Sequence, residues 1–454
     1  MNITISEKAN PNYLAKIVSI QDFQKHPNAD RLKLVNVDGF IVSVGIDTQP
    51  GIFIYFPVEC QISDWYLKVN NLYRDKTLNS DQEATPGFFD EKGRVKALKL
   101  RNFISEGLVM PLDSLYKVFE KEFIDQYTDT FVNKEFDTVN DRLLVKKYVI
   151  KEYVKGMKSA RKVKRYDDTI VEGQFRYHPD TEQLKKNMFE LSLNDTIQIS
   201  DKWHGTSAIF CNLLTKRKLS ILEKIKKFFK FNVQTTEYKK FCSSRTVVKD
   251  PDLNKSLGQG YYDVDIWNIG LDVIKPHLYP GMSIYCELIG YTPTGRMIQK
   301  NYDYGCEYLP EKYDYSKMSP LEMYIDKLFN IYIYRITNTD SDGKVTEFSP
   351  SQIKDWSGHF GFSCVHELYY GTIENYISKF EEVDTHNWHE QFLKLLSSEY
   401  LEKKCKYCKH DVIAEGIVLR VDINNKFKAF KLKSLQFLGM ESKALDNNEQ
   451  GIEE

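Results

Sequence analysis

The chain reads as an α+β protein, with a β-rich N-terminal part of small-barrel type ahead of a larger domain of mixed, mainly antiparallel sheets with helices. Three observations predict this. Residues 13–112 break into short alternating apolar segments separated by turn chemistry, with no long helical pattern between them. From about 113 to 165 the pattern turns helical and basic, and beyond 166 strand-like and helix-like runs mix. At 454 residues the chain is also too long for one ordinary core and suits units of roughly 100–200 residues. The boundaries expected are 1–115, a basic connector 116–165, a domain over 166–440 and an acidic tail 441–454.

Taken in order, Leu14 to Ile20 alternates, His26-Pro27-Asn28-Ala29-Asp30 is a turn, and Leu32 to Val37 alternates again. Asp38-Gly39 then turns the chain into Phe40 to Val44. Gly51 to Val58 has the length of a buried strand, and Val95 to Arg101 and Glu106 to Leu112 close the segment. Nine cations stand between Lys146 and Arg165 against the single acid Glu152, an asymmetry that suits contact with a phosphate backbone. A second basic stretch, Lys216 to Lys230, interleaves Ile221, Leu222, Ile225, Phe228 and Phe229 at helical spacing. It reads as an amphipathic helix packed on its own domain rather than one bound to a membrane.

Composition narrows the function classes. There are 63 Lys and Arg against 64 Asp and Glu, a net charge of −1, so a uniformly basic nucleic-acid binder is excluded while a local basic groove is not. No apolar run approaches the roughly 18–20 residues of a membrane helix, and Met1 to Lys8 lacks a charged-then-apolar leader design. Eight cysteines, mostly isolated, look like reduced cytosolic thiols, so the expected location is cytoplasmic. Cys405 and Cys408, with His410, form one C-x-x-C without a second pair, and two reduced thiols in a loop is the better reading than zinc.

The informative segment is Ile197 to Phe210, in which a strand ends, Lys202 sits in a Gly-bearing turn, and a second strand begins. The turn Lys202-Trp203-His204-Gly205-Thr206-Ser207 resembles the nucleotidyltransferase motif of ATP-dependent polynucleotide ligases. The rest of that family's set follows in order: Ser243 to Thr246, Ser283 to Gly290 with Glu287, Asn330 to Ile336, Glu415 to Arg420, and Phe430 to Ser434. His204 in place of the usual Asp resembles the RNA ligase branch, as does Tyr291 to Gly295. The His26–Leu32 run resembles the entry to OB-fold modules. Together with Arg176 to Thr181, this N-terminal module resembles the RNA ligase branch that carries an OB-like barrel at its N-terminus.

The resemblance implies roles. Lys202 would be the AMP-accepting nucleophile, with Lys431 and Lys433 as the catalytic cations that lower its proton affinity and neutralise phosphates. Glu415 would bind a divalent metal, Mg2+ or Mn2+. Asp201, His204, Gly205, Arg245, Glu287 and Tyr334 would line the ATP site, Glu287 taking a ribose hydroxyl, Tyr334 stacking on adenine and Arg245 holding ribose or phosphate. Lys431 and Lys433 are two apart and share a strand face, opposite Phe430 and Leu432. Bringing that face to Glu415 calls for an odd-numbered loop or a bulge at Asn424-Asn425.

The expected activity is therefore ATP-dependent RNA ligation of 3′-OH and 5′-phosphate ends, at nicks in duplexes with RNA on the 3′-OH side. The partner would be RNA or a nicked RNA-containing duplex, with no membrane partner, and the chain a monomer. Only about 20 residues follow Lys433, too few for the C-terminal OB domain of DNA ligases and capping enzymes. The alternatives are a DNA ligase or RNA guanylyltransferase, or an RNA-binding protein without catalysis. Trp203 is bulky for its place, and Arg335 stands where an acid often follows the aromatic strand.

Overall fold

The computed structural model describes residues 2–119, 128–149, 166–249, 262, 264–305, 317–325 and 328–446. Contacts divide the chain into two units. The first comprises Met1–Tyr153, Glu182–Glu190 and Lys433–Gln450, the second Val154–Thr181, Leu191–Leu432 and Gly451–Glu454.

In the first unit the strands group into small antiparallel sheets of two to four strands. One runs in the order Leu108–Pro111, Gly51–Phe56, Ala15–Ile20, Glu135–Phe136, and another joins Gln24–Lys25, Leu32–Val37 and Phe40–Gly45. Asp38 and Gly39 have φ of 50° and 84°, the two left-handed residues that a tight hairpin between Leu32–Val37 and Phe40–Gly45 needs. Alternation along Ala15–Ile20 feeds two cores: Ala15 and Ile17 pack with Ile54, Phe56 and Phe136, and Val18 and Ile20 with Val35, Val42 and Phe53.

Two sequence expectations fail here. Residues 135–147 are not helical but form the short strands Glu135–Phe136, Thr138–Val139, Arg142–Leu143 and Val145–Lys147. The left-handed pair Asn140-Asp141 turns the chain; Phe136, Val139 and Val145 are buried on these strands and Leu144 between the last two. Of the basic run, Lys146 and Lys147 lie on the last of these strands, and Lys151 to Arg165 lie outside the described residues. The C-terminal helix Leu435–Asp446 crosses the expected boundary at 440, and the tail beyond it lies outside the described residues.

The second unit is built on two sheets. The larger runs Val248–Lys249, Thr236–Ser243, Thr206–Lys216, Met282–Gly290, Phe329–Thr339, Val345–Glu347, all antiparallel, with Ser363–Cys364 parallel to Phe329–Thr339. Its core face carries Phe210, Ile284, Ile331, Ile333 and Ile336 under the helix Ile266–Ile274, whose Trp267, Leu271 and Ile274 are buried. The helix Pro350–Phe360 starts on a Ser349–Gln352 capping box with Pro350 in its first turn and ends on Gly361 at φ 74°. The second sheet runs Lys426–Lys433, Gly416–Ile423, Thr196–Asp201, Glu367–Thr372.

The helix Ile221–Phe228 forms as its spacing predicts, but it does not pack on its domain. None of its residues is buried, and Ile221 is 76% and Phe228 81% exposed. Among the described residues no helix is long and apolar enough to cross a membrane.

Candidate active site

The turn Lys202 to Gly205 carries the chain from the second sheet to the first, from Thr196–Asp201 into Thr206–Lys216. Asp201 pairs with Ile417, and the next backbone bond, from the Lys202 N–H to the Gly416 carbonyl at 3.0 Å, continues that ladder. Register alone therefore brings Lys202 to Glu415. Lys202 Nζ lies 2.7 Å from Glu415 Oε1, and His204 Nδ1 lies 3.3 Å from Glu415 Oε2. The Glu415 side chain is 1% exposed, so its charge is held by these neighbours rather than by water.

On the other side of the turn, Ser207 stands opposite Glu287 across the sheet. Glu287 accepts the Gly205 N–H at 3.1 Å and the Ser207 hydroxyl at 3.4 Å. A Cβ on Gly205 would lie 2.4 Å from the Leu288 carbonyl oxygen and 2.7 Å from Glu287 Cγ, so only glycine lets these strands close. The Gln299 side-chain amide donates to the Gly205 carbonyl, and the His204 N–H donates to the Tyr304 hydroxyl at 3.1 Å. Lys202, His204, Gly205, Glu287 and Glu415 thus form one connected group.

The remaining expected site residues are engaged as follows. Arg245 forms an ion pair with Asp180, a residue of the Arg176–Thr181 segment. Asp201 accepts from the Tyr407 hydroxyl at 3.1 Å and lies 2.9 Å from His366 Nδ1. Tyr334 is an extra residue in its strand: Tyr285 pairs with Arg335 and Cys286 with Ile333, leaving a bulge at Tyr334. The bulge turns Tyr334 and Arg335 toward Tyr285, so Tyr334 meets the edge of His178 at 5.2 Å and Arg335 lies over Tyr285 at 4.5 Å. Arg335 replaces the expected acid here because its fork is clasped by the buried Glu347.

Lys431 lies half-buried between the buried Phe430 and Leu432, as alternation requires. Lys433 belongs to the first unit, where its Nζ meets Glu441 at 2.9 and 3.0 Å. The expected odd-numbered loop at Asn424-Asn425 is not found: strands end at Ile423 and resume at Lys426, leaving a two-residue turn with only Asn425 of the two left-handed. Gly416, at φ 141°, joins the buried Glu415 to the buried residues Ile417, Leu419 and Val421 of its strand.

Sequence reasoning missed an aromatic group beside the turn. Trp203 stacks on Tyr332 at 4.4 Å and lies 4.7 Å from Tyr407. Tyr332 is two residues from Tyr334 on one strand, a same-face signal that was available. A cavity of about 420 Å³ opens here, lined among others by Gln198, Trp203, Tyr332, Tyr334, His366 and Tyr407.

Among the described residues no group of three or more His, Cys, Asp or Glu side chains could hold a metal ion alone. His410 Nδ1 lies 3.1 Å from the Asn301 carbonyl, and burial raises the proton affinity of the Cys405 and Cys408 thiols. Glu415, a single buried hard-oxygen donor, fits a Mg2+-type ion that takes its other ligands from phosphates and water.

No family model and no curated protein sequence matches the chain. Solved structures do. A lysine-to-alanine variant of Naegleria gruberi RNA ligase with ATP and Mn matches at 15% identity and TM-score 0.53, over 94% of this chain and 98% of that one. The same ligase with pyrophosphate matches at 13% identity and TM-score 0.51, over 95% and 99%. The chain has the α+β fold of these RNA ligases.

Proposed function

We propose that the chain is an ATP-dependent RNA ligase that seals 3′-OH and 5′-phosphate ends, at nicks in duplexes with RNA on the 3′-OH side. The observation that carries this reading is the convergence of Lys202, His204 and the buried Glu415 on one turn, closed from behind by Gly205 and Glu287. Similarity of fold to an RNA ligase solved with ATP and Mn supports it.

In the first step the deprotonated Lys202 amine attacks the α-phosphorus of ATP. An N–P bond forms, the bond to the bridging oxygen breaks, and pyrophosphate leaves with the electron pair. An oxygen of the 5′-phosphate end then displaces the lysine and takes the AMP. Finally the 3′-OH attacks that end and expels AMP. A divalent ion bound to Glu415 and the phosphates would neutralise charge on the phosphoryl oxygens. Lys431 and Lys433 would add positive charge for each displacement, where positioning and neutralisation dominate. The cavity of about 420 Å³ with its aromatic walls suits a purine, with Tyr334 against the base. Glu287 would take a ribose hydroxyl, and Arg245 would turn from Asp180 to the nucleotide. The first unit, with its small antiparallel sheets, would serve as the OB-like module that holds the duplex.

The test is incubation with α-labelled ATP or GTP and Mg2+ or Mn2+. Label on the protein from ATP, absent in Lys202→Ala, is expected. No adduct, or one that survives Lys202→Ala, would sink the reading, and label from GTP alone would make the protein a guanylyltransferase. Nicked duplexes with ribose or deoxyribose at the 3′-OH end then separate RNA from DNA ligation.

A further inference from the structure

The strands Thr206–Lys216 and Thr236–Ser243 pair up to Lys216 opposite Thr236, and residues 217–235 leave the sheet from that end. The excursion is a built element. The Arg217 N–H donates to the Thr235 carbonyl at 2.9 Å, and its guanidinium reaches the Gln234 carbonyl and the Glu223 carboxylate. Ser220 and Glu223 form a capping box, with the Glu223 N–H donating to Ser220 Oγ at 3.3 Å and the Ser220 N–H to Glu223 Oε2 at 2.8 Å. At the far end the Phe229 and Phe231 N–H groups close on the Ile225 and Lys226 carbonyls.

An eight-residue helix is marginal in water, and most helices gain their stability by burying an apolar face. This one buries none: Ile221, Leu222, Ile225, Phe228, Phe229 and Phe231 are all exposed, Phe228 to 81%. At about 100° per residue, Ile221, Leu222, Ile225 and Phe228 fall within an arc of about 120°. Lys224 and Lys226 stand at the two edges of that arc, with Glu223 and Lys227 on the opposite side. Seven Lys and Arg lie between Lys216 and Lys230 against the single acid Glu223, which Arg217 already engages.

We propose that this helix is a peripheral membrane-binding element that lies in the headgroup layer of an anionic bilayer. Its apolar arc enters the acyl boundary, and the flanking lysines extend their charged ends to lipid phosphates. An RNA duplex suits the face less well, because Ile221, Leu222 and Ile225 cannot stack on bases and phosphate contact would leave them in water. A second copy suits it less well too, because like faces would bring two sets of cations together. The aliphatic arc and the cationic rim have one complement in common, a surface that is negative outside and hydrocarbon beneath.

The test is flotation of the full chain with vesicles of phosphatidylcholine alone or with about one-third phosphatidylserine. Binding to the anionic vesicles is expected to be at least about tenfold greater and to weaken in high salt. Phe228→Glu/Phe229→Glu should lower it at least about tenfold, as should Lys224→Glu/Lys226→Glu, while Phe189→Glu, at another exposed phenylalanine, should leave it unchanged. Circular dichroism of all variants should match the parent. Failure to bind anionic vesicles, or binding that persists in both double variants, would overturn the proposal. So would loss of nicked-RNA affinity, or of a dimer seen by light scattering, as the main effect of the variants. None of these readouts depends on ligase activity.

Discussion

Lys202 Nζ and Glu415 Oε1 lie 2.7 Å apart where the ladder between Thr196–Asp201 and Gly416–Ile423 ends. The amine proposed to attack phosphorus is therefore held by the carboxylate proposed to hold the metal. An ammonium in that pair has to lose its proton before it reacts. Lys202→Ala should abolish the labelled adduct, and Glu415→Gln should slow it by at least about a hundredfold. Each change removes one partner of a buried charge and should destabilise the protein by roughly 1–3 kcal/mol. The double variant should be more stable than the sum of the singles predicts. Additive denaturation energies would show that the two side chains do not interact.

Gly205 gives a second prediction. Because a Cβ there would meet the Leu288 carbonyl oxygen at 2.4 Å, Gly205→Ala must push the Lys202 turn away from the Glu287 strand. Displacement by about 1 Å costs on the order of a hundredfold in rate. Adenylylation should fall by that order, with ATP binding by calorimetry weakened and the thermal midpoint lowered. Normal adenylylation by Gly205→Ala would mean that the turn is not held against that strand.

Much of this site was legible because register is local. Alternation on both sides of Lys202 marks two strands. What escaped depends on single backbone irregularities. The core isoleucines Ile331, Ile333 and Ile336 slip by one position in the sequence, and the cause is the bulge at Tyr334, which gives Arg335 the same face as its neighbour. The pattern of the Ile221–Phe228 helix correctly shows one apolar face, but periodicity carries no information on whether anything covers it.

The bulge exposes Arg335 to a third test. Its guanidinium is bidentate to Glu347, both side chains are 7% exposed, and Tyr285 and Phe427 flank it at 4.5 Å each. Breaking such a pair leaves a charge buried without its counter-ion, which costs about 3–5 kcal/mol. Glu347→Gln should lower the denaturant midpoint accordingly. Arg335→Lys should be destabilising as well, since an ammonium cannot reproduce the fork. A lysine variant of parental stability would show that charge alone suffices.

His178 ties stability to pH. Burial, opposed by its Nδ1–H bond to the Pro179 carbonyl at 2.6 Å and reinforced by Arg245 and Arg335, lowers its proton affinity to a pKa of about 4 from the ordinary 6.5. Between those values the unfolded chain binds a proton that the folded chain refuses, so this contribution is complete above pH 6.5 and is lost as pH falls toward 4. The full difference is about 3 kcal/mol, of which about 2 kcal/mol is gone by pH 5. His178→Gln cannot titrate. Whatever its stability at pH 7.5, the gap between parent and variant should shift by about 2 kcal/mol in favour of the variant at pH 5. Chemical denaturation of both proteins at the two pH values measures this directly. A gap that does not change with pH would mean that His178 takes up its proton in the folded protein as readily as in the unfolded one.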